Sequence, residues 1–131
     1  MQLEFESNYR DKILYIRFKV PTKISTKSDV LKWRTQWTEA LKSWHSPYKA
    51  LIDISNLESI ESSQAVQEAL SNMKRFFDGF FLRKVSGFGQ EYGDSLPFKT
   101  FKTEQEAAKH IGIRERKQLQ PGDFRSSILF E

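Results

Sequence analysis

Residues 48–54 carry apolar side chains on both sides of the strand alternation, with Ala50, Leu51 and Ile52 in a row. A strand facing water on one side shows one apolar face. A strand apolar on both faces lies in the middle of a sheet and is covered above and below. That run requires packed layers on either side of it, and helical periodicity flanks it. Upstream, Val30, Trp33, Trp37, Leu41 and Trp44 recur at helical spacing over residues 29–44. A helix-start signal stands at 26–29, and Ser46 with Pro47 stops the pattern. Downstream, Val66, Ala69, Leu70, Met73, Phe76 and Phe77 form the apolar face of a second helix over 63–77, which Asp78 and Gly79 break.

Strand patterns complete the order. Residues 3–5 and 13–20 read as a hairpin around the polar turn 8–12, with Leu14, Ile16, Phe18 and Val20 on the buried face and Pro21 as the stop. Residues 80–88 and 98–101 read as strands, separated by a polar loop over 90–97. Thr103 and Glu106 form a capping box for a third helix through Ala107, Ala108 and Ile111, ended by Gly112. Strands alternating with helices give an α/β fold, a four- to five-stranded mixed sheet flanked by helices. The domain is expected over residues 1–113, followed by a basic and then apolar tail over 114–131.

The composition fits one domain with its own core. The chain has 131 residues, eleven Phe and three Trp, which excludes disorder. It has no cysteine, so it forms no disulfide, and the expected location is cytoplasmic. No apolar run is long enough for a transmembrane segment, and the start of the chain does not resemble a signal peptide. The net charge of +4 is too modest to favour a DNA or RNA partner. With two distant histidines and no cysteine, no metal site is expected. No cofactor is expected either: Gly87, Phe88 and Gly89 are too short for a nucleotide fingerprint, and no nucleophile elbow occurs. No acid/base pair or triad emerges, so the chain reads as a non-enzyme.

The residues with most to say about function lie just after the central strand. Asp53 closes it, Glu58 and Glu61 follow, and Ser62 and Ser63 open the second helix before Gln64. Two hydroxyls at a helix mouth meet unsatisfied backbone N–H groups and the positive end of the helix dipole. They serve as caps, as an anion or partner contact, or as phosphoacceptors. Asp53 reads first as a strand-end carboxylate holding a turn. Trp33, Trp37 and Trp44 read as core, with one tryptophan at an edge as the alternative. Phe76, Phe77, Phe80 and Phe81 crowd the chain reversal at Asp78 and Gly79, so an exposed aromatic patch or a homodimer surface is expected there. His45 and His110 fall near predicted helix ends, where the dipole favours them. Arg114, Arg116, Lys117 and Arg125 make the tail basic, and Ile128, Leu129 and Phe130 make its end an apolar plug for a sheet edge or a helix.

The stretch 50–64 resembles the central motif of the STAS domain, the fold of the anti-sigma factor antagonists. The matching residues are the strand and turn ALIDIS, the loop NLESI, and then Glu61, Ser62, Ser63 and Gln64. The ending, TEQEAAKHIGI, is also similar to the family. The resemblance spans roughly residues 3–113. It implies that Ser62, less readily Ser63, receives a phosphate from an anti-sigma kinase. Asp53, Glu58, Glu61, Ser62, Ser63 and Gln64 would then form the partner-binding surface. Glu61 stands where the family has aspartate and Gln64 where it has glycine, and the loop 90–97 is too short for the family's extra helix. Two alternatives keep the fold. One is a non-phosphorylated subunit of a lipid-transport ATPase. The other is a small-ligand or lipid-binding domain lined by the phenylalanines.

Overall fold

A computed structural model describes residues 1–8, 12–43, 49–79, 82, 84–113 and 126–130. Trp44 at the expected end of the first helix, His45, the stop at Ser46 and Pro47, the phenylalanines Phe80 and Phe81, and the basic residues Arg114, Arg116, Lys117 and Arg125 lie outside the described residues.

The hairpin forms as its alternation predicts. β1 (Leu3–Asn8) pairs antiparallel with β2 (Ile13–Phe18), Leu3 opposite Phe18 and Asn8 opposite Ile13. The register puts Leu3, Phe5, Leu14, Ile16 and Phe18 on one buried face. A short strand, β3 (Thr22–Ile24), precedes the first helix, α1 (Lys27–Ser43). β4 (Lys49–Asp53) then pairs parallel with β2. Next come β5 (Leu57–Ile60), α2 (Gln64–Gly79) and β6 (Lys84–Phe88), the last parallel to β4. A single 3-10 turn at Gly93–Ser95 leads to β7 (Lys99–Phe101), parallel to β6, and to α3 (Glu104–His110).

The main sheet is therefore mixed, in the order β7-β6-β4-β2-β1-β8. Five of its strands lie between residues 3 and 101. The sixth, β8 (Ser126–Phe130), comes from the chain's end and pairs antiparallel with β1, Leu3 opposite Phe130. The apolar end of the tail thus adds a strand to the edge.

The central strand sits where its two apolar faces require. Ala50 and Ile52 face α1 and α2, in a cluster with Trp33, Trp37, Leu70, Met73 and Phe77. Leu51 faces the other way, under Ala107 and Ala108 of α3 and Ile111 just after it. Aromatic edges fasten the first layer. Trp37 meets Phe5 at 5.8 Å and 84°, and Trp33 meets Phe98 at 6.3 Å and 80°. α3 covers β4, β6 and β7. Beyond Ile13 and Tyr15, which join that cluster, the same face carries charge at the end of β2, with Arg17 and Lys19 (3.8 Å) both paired to Glu4.

Two differences from the sequence reading have physical causes. α2 continues through Asp78 to Gly79, because one glycine in an exposed last turn is a mild penalty and not a stop. β3 and β5 form a separate two-stranded parallel sheet that no local pattern announces. Each is short, and their pairing joins residues far apart in sequence with a register shift between Thr22 and Lys23. Asn56 fastens this pair: its amide donates to the Phe18 carbonyl (2.8 Å), and its carbonyl accepts from the Thr22 N–H (2.8 Å).

Candidate functional site

The residues singled out in 53–64 lie at the carboxyl ends of the parallel strands. There the chain leaves β4, forms β5 beside β3, and enters α2. The Glu61 N–H donates to the Ile24 carbonyl (2.8 Å), so the segment before α2 is tied to the segment before α1.

Asp53 does what strand-end aspartates commonly do. Its Oδ1 accepts from the Ser55 N–H (2.9 Å) and from the Ser55 hydroxyl (2.6 Å), closing a turn. It is half-buried, and its carboxylate is engaged in the turn. The turn is pressed against the end of β6. Gly89 has φ +104°, and a Cβ there would sit 2.3 Å from the Ser55 hydroxyl and 3.0 Å from the Ser55 nitrogen. Only glycine fits this approach.

A clamp from the loop after β6 holds the turn from the other side. The Gln90 side-chain amide lies 3.0 Å from the Ile54 carbonyl, 3.0 Å from that of Ser55 and 2.8 Å from that of Leu57. The Tyr92 hydroxyl donates to the Leu57 carbonyl, and the Tyr92 N–H donates to the Thr100 hydroxyl (2.9 Å). Burial, and then the Glu58 carboxylate, push the Tyr92 phenol above its ordinary range. The phenol therefore stays protonated and keeps its donor. Gln90 and Tyr92 belong to a stretch that sequence patterning marks only as a polar loop. Nothing local in it points to the carbonyls it reaches more than thirty residues upstream.

The two serines divide the roles that the sequence left open. The Ser63 hydroxyl accepts from the Val66 N–H (3.4 Å) and its carbonyl from the Gln67 N–H (3.0 Å), which makes Ser63 the cap of α2. Ser62, one position earlier, is exposed, and among the described residues its hydroxyl has no partner. The first turn of α2 contains no acidic residue. Gln64 turns its amide along the helix to Glu68 (3.0 Å), and the Gln67 amide reaches back to the Glu61 carbonyl (3.3 Å). Glu58, Glu61, Ser62, Ser63 and Gln64 are all exposed on one continuous edge.

The expected aromatic patch is corrected in part. Phe77 is 3% exposed and packs on Trp37 at 4.8 Å, because the helical period carries it to the sheet side with Val66, Leu70 and Met73. Phe76 is half-buried, with the Arg34 guanidinium 5.3 Å over its ring. Trp33 and Trp37 are both fully buried, so neither overhangs an edge. His110 lies in the last turn of α3, its ring 5.2 Å from that of Phe101. No helix among the described residues is long and apolar enough to cross a membrane.

What this edge presents is a loop held by hydrogen bonds from Gln90 and Tyr92, one free hydroxyl and an uncapped share of helix N–H groups. Such an arrangement suits a docked polypeptide or an added phosphate. Comparison of the chain with protein-family models found no match, and a search of curated proteins found none either.

Proposed function

We propose that this chain is a non-enzymatic, cytoplasmic interaction module of STAS-like architecture, which docks a partner protein on the edge formed by residues 53–64. In its sharpest form it is an anti-sigma factor antagonist whose docking is switched by phosphorylation of Ser62. One observation supports this above the rest: the Ser62 hydroxyl is exposed and unengaged, while its neighbour Ser63 carries the structural load of capping α2. A modification at Ser62 therefore leaves the cap intact. A phosphate brings about −1.5 to −2 charges, and the dipole at a helix start tolerates them. The modified chain stays folded while its docking edge, which already carries Glu58 and Glu61, becomes more negative.

The test compares wild-type, Ser62→Ala and Ser62→Glu baits in a pull-down from native lysate, read by mass spectrometry. The expected result is an anti-sigma kinase retained by wild type and alanine and lost by glutamate. Equal retention by all three removes the switch. Gln64 favours a second reading. Its side chain occupies the helix start where the antagonist family has glycine, and its amide is engaged with Glu68. A subunit of a lipid-transport ATPase needs no phosphorylation, and the same experiment would then recover a transport ATPase on every bait.

A further inference from the structure

The opposite edge of the sheet, at the amino ends of the parallel strands, gathers positive charge that has no ion-pair partner among the described residues. Lys49 and Lys84 open β4 and β6 and stand directly across from each other in the register. Both lie on the face covered by α3, in the same alternation as Leu51 and Ser86. Their ammonium groups converge on Gly112, just past the end of α3. The position a Cβ would take there is 3.3 Å from Lys49 Nζ and 3.9 Å from Lys84 Nζ. Like charges side by side on neighbouring strands repel. Among the described residues no carboxylate pairs with either lysine.

Among the described residues little offsets this repulsion. The Gly112 N–H donates to the Lys109 carbonyl (3.0 Å) and the Ile113 N–H to that of Ala108 (2.8 Å), so α3 is closed by its own backbone with Gly112 at φ +83°. The dipole of α3 supplies about half a negative charge against two ammonium groups. Its last turn adds Lys109 and His110, and Lys12 lies at the same edge, its carbonyl accepting from the Lys49 N–H (3.2 Å).

The geometry points to a binding site for a phosphate monoester between Lys49 and Lys84 at Gly112. A phosphate carries close to two charges on one compact head, matching two converging ammonium groups, whereas a carboxylate carries one. Glycine at 112 puts no side chain beside the two ammonium groups, where a Cβ would already stand 3.3 Å from Lys49 Nζ. The dipole of α3 opposes any anion there, so the expected dissociation constant is weak, about 1 mM. This site is separate from the docking edge at Ser62, and neither depends on the other.

The test titrates inorganic phosphate into the isotopically labelled full chain and follows the Gly112 and Ile113 amide resonances, with Lys84→Glu and the pair Lys49→Gln, Lys84→Gln alongside. Thermal melts confirm that the variants fold. The expected result is a saturable shift at both amides, weakened about tenfold or more in each variant. A parallel sedimentation arm uses vesicles of phosphatidylcholine with and without phosphatidic acid. Lysine-dependent binding to phosphatidic acid vesicles assigns the phosphate to a lipid headgroup. Binding of free phosphate alone assigns it to a soluble ligand. If neither probe binds, or if both bind the charge variants as well as wild type, the site does not exist.

Discussion

α1 and α2 begin side by side, joined through the pairing of Ile24 with Ile60, yet their first turns are finished in opposite ways. At α1, Thr26 and Asp29 form a reciprocal box. The Asp29 N–H donates to the Thr26 hydroxyl (3.2 Å), and Asp29 Oδ2 accepts from the N–H groups of Ser25 (2.9 Å) and Thr26 (3.0 Å). At α2, Ser63 alone caps, through one long bond, and no acid follows. The first helix start is closed by its own side chains. The second is tied from outside, through the Glu61 N–H to the Ile24 carbonyl and behind a turn at 54–57 that Gly89, Gln90 and Tyr92 clamp, and keeps a free hydroxyl in front. A helix start that completes itself has nothing to offer a partner. One positioned by distant residues can stay incomplete without losing its place.

The largest expected effect comes from removing that outside support. Gly89→Ala sets a Cβ against the Ser55 backbone at a left-handed φ, and should lower stability by about 3 kcal/mol. Chemical denaturation measures this. Hydrogen exchange should show the loss concentrated in residues 54–60, and uniform loss would break the comparison.

The α1 box should come next. Thr26→Ala should destabilise by about 1.5 kcal/mol in thermal or urea unfolding. Asp29 also makes this end pH-sensitive. The backbone hydrogen bond from Ser25 does most to hold its carboxyl below its ordinary value of 3.8 in the folded chain; burial, the next largest effect, opposes it, and the Thr26 hydrogen bonds and the Lys32 charge add to the lowering. A depressed folded pKa contributes stability above the unfolded value, lost as the pH falls from there through the folded one. Asp29→Asn should therefore be less stable than wild type at neutral pH, and the gap should narrow as the pH drops below about 4. A gap that does not change with pH would contradict the assigned role.

The smallest effects lie at α2 and sharpen the contrast. Ser63→Ala should cost about 1 kcal/mol, the usual worth of a lone serine cap. Ser62→Ala should fall within about 0.5 kcal/mol of wild type. Equal losses at the two serines would mean that Ser62 shares the cap.

Much of the frame was legible in local pattern. The parity of Ala50, Leu51 and Ile52 placed β4 at the centre. The spacing of Trp33, Trp37 and Val66, Leu70, Met73 placed two helices on it, and Thr103 with Glu106 marked the start of α3. The candidate site was legible only in outline. Ser62 and Ser63 were visible as a pair at a helix mouth, but which one caps depends on where the helix begins, a matter of one residue. Phe77 fits both the apolar face of the helix and the crowded group at its end, and only the helix running on to Gly79 decides that it faces the sheet.

The sequence by itself determined which segments bury which faces, because hydrophobic periodicity is a property of neighbouring residues and needs no knowledge of the fold. Only the tertiary structure decided the parallel pairing of β3 with β5, the grip of Gln90 and Tyr92 on the carbonyls of Ile54 and Leu57, and the meeting of Lys49 and Lys84 at Gly112. Each of these joins residues far apart along the chain through single hydrogen bonds or charges. Such contacts leave no periodic trace, and they exist only once the buried faces have brought the strands together.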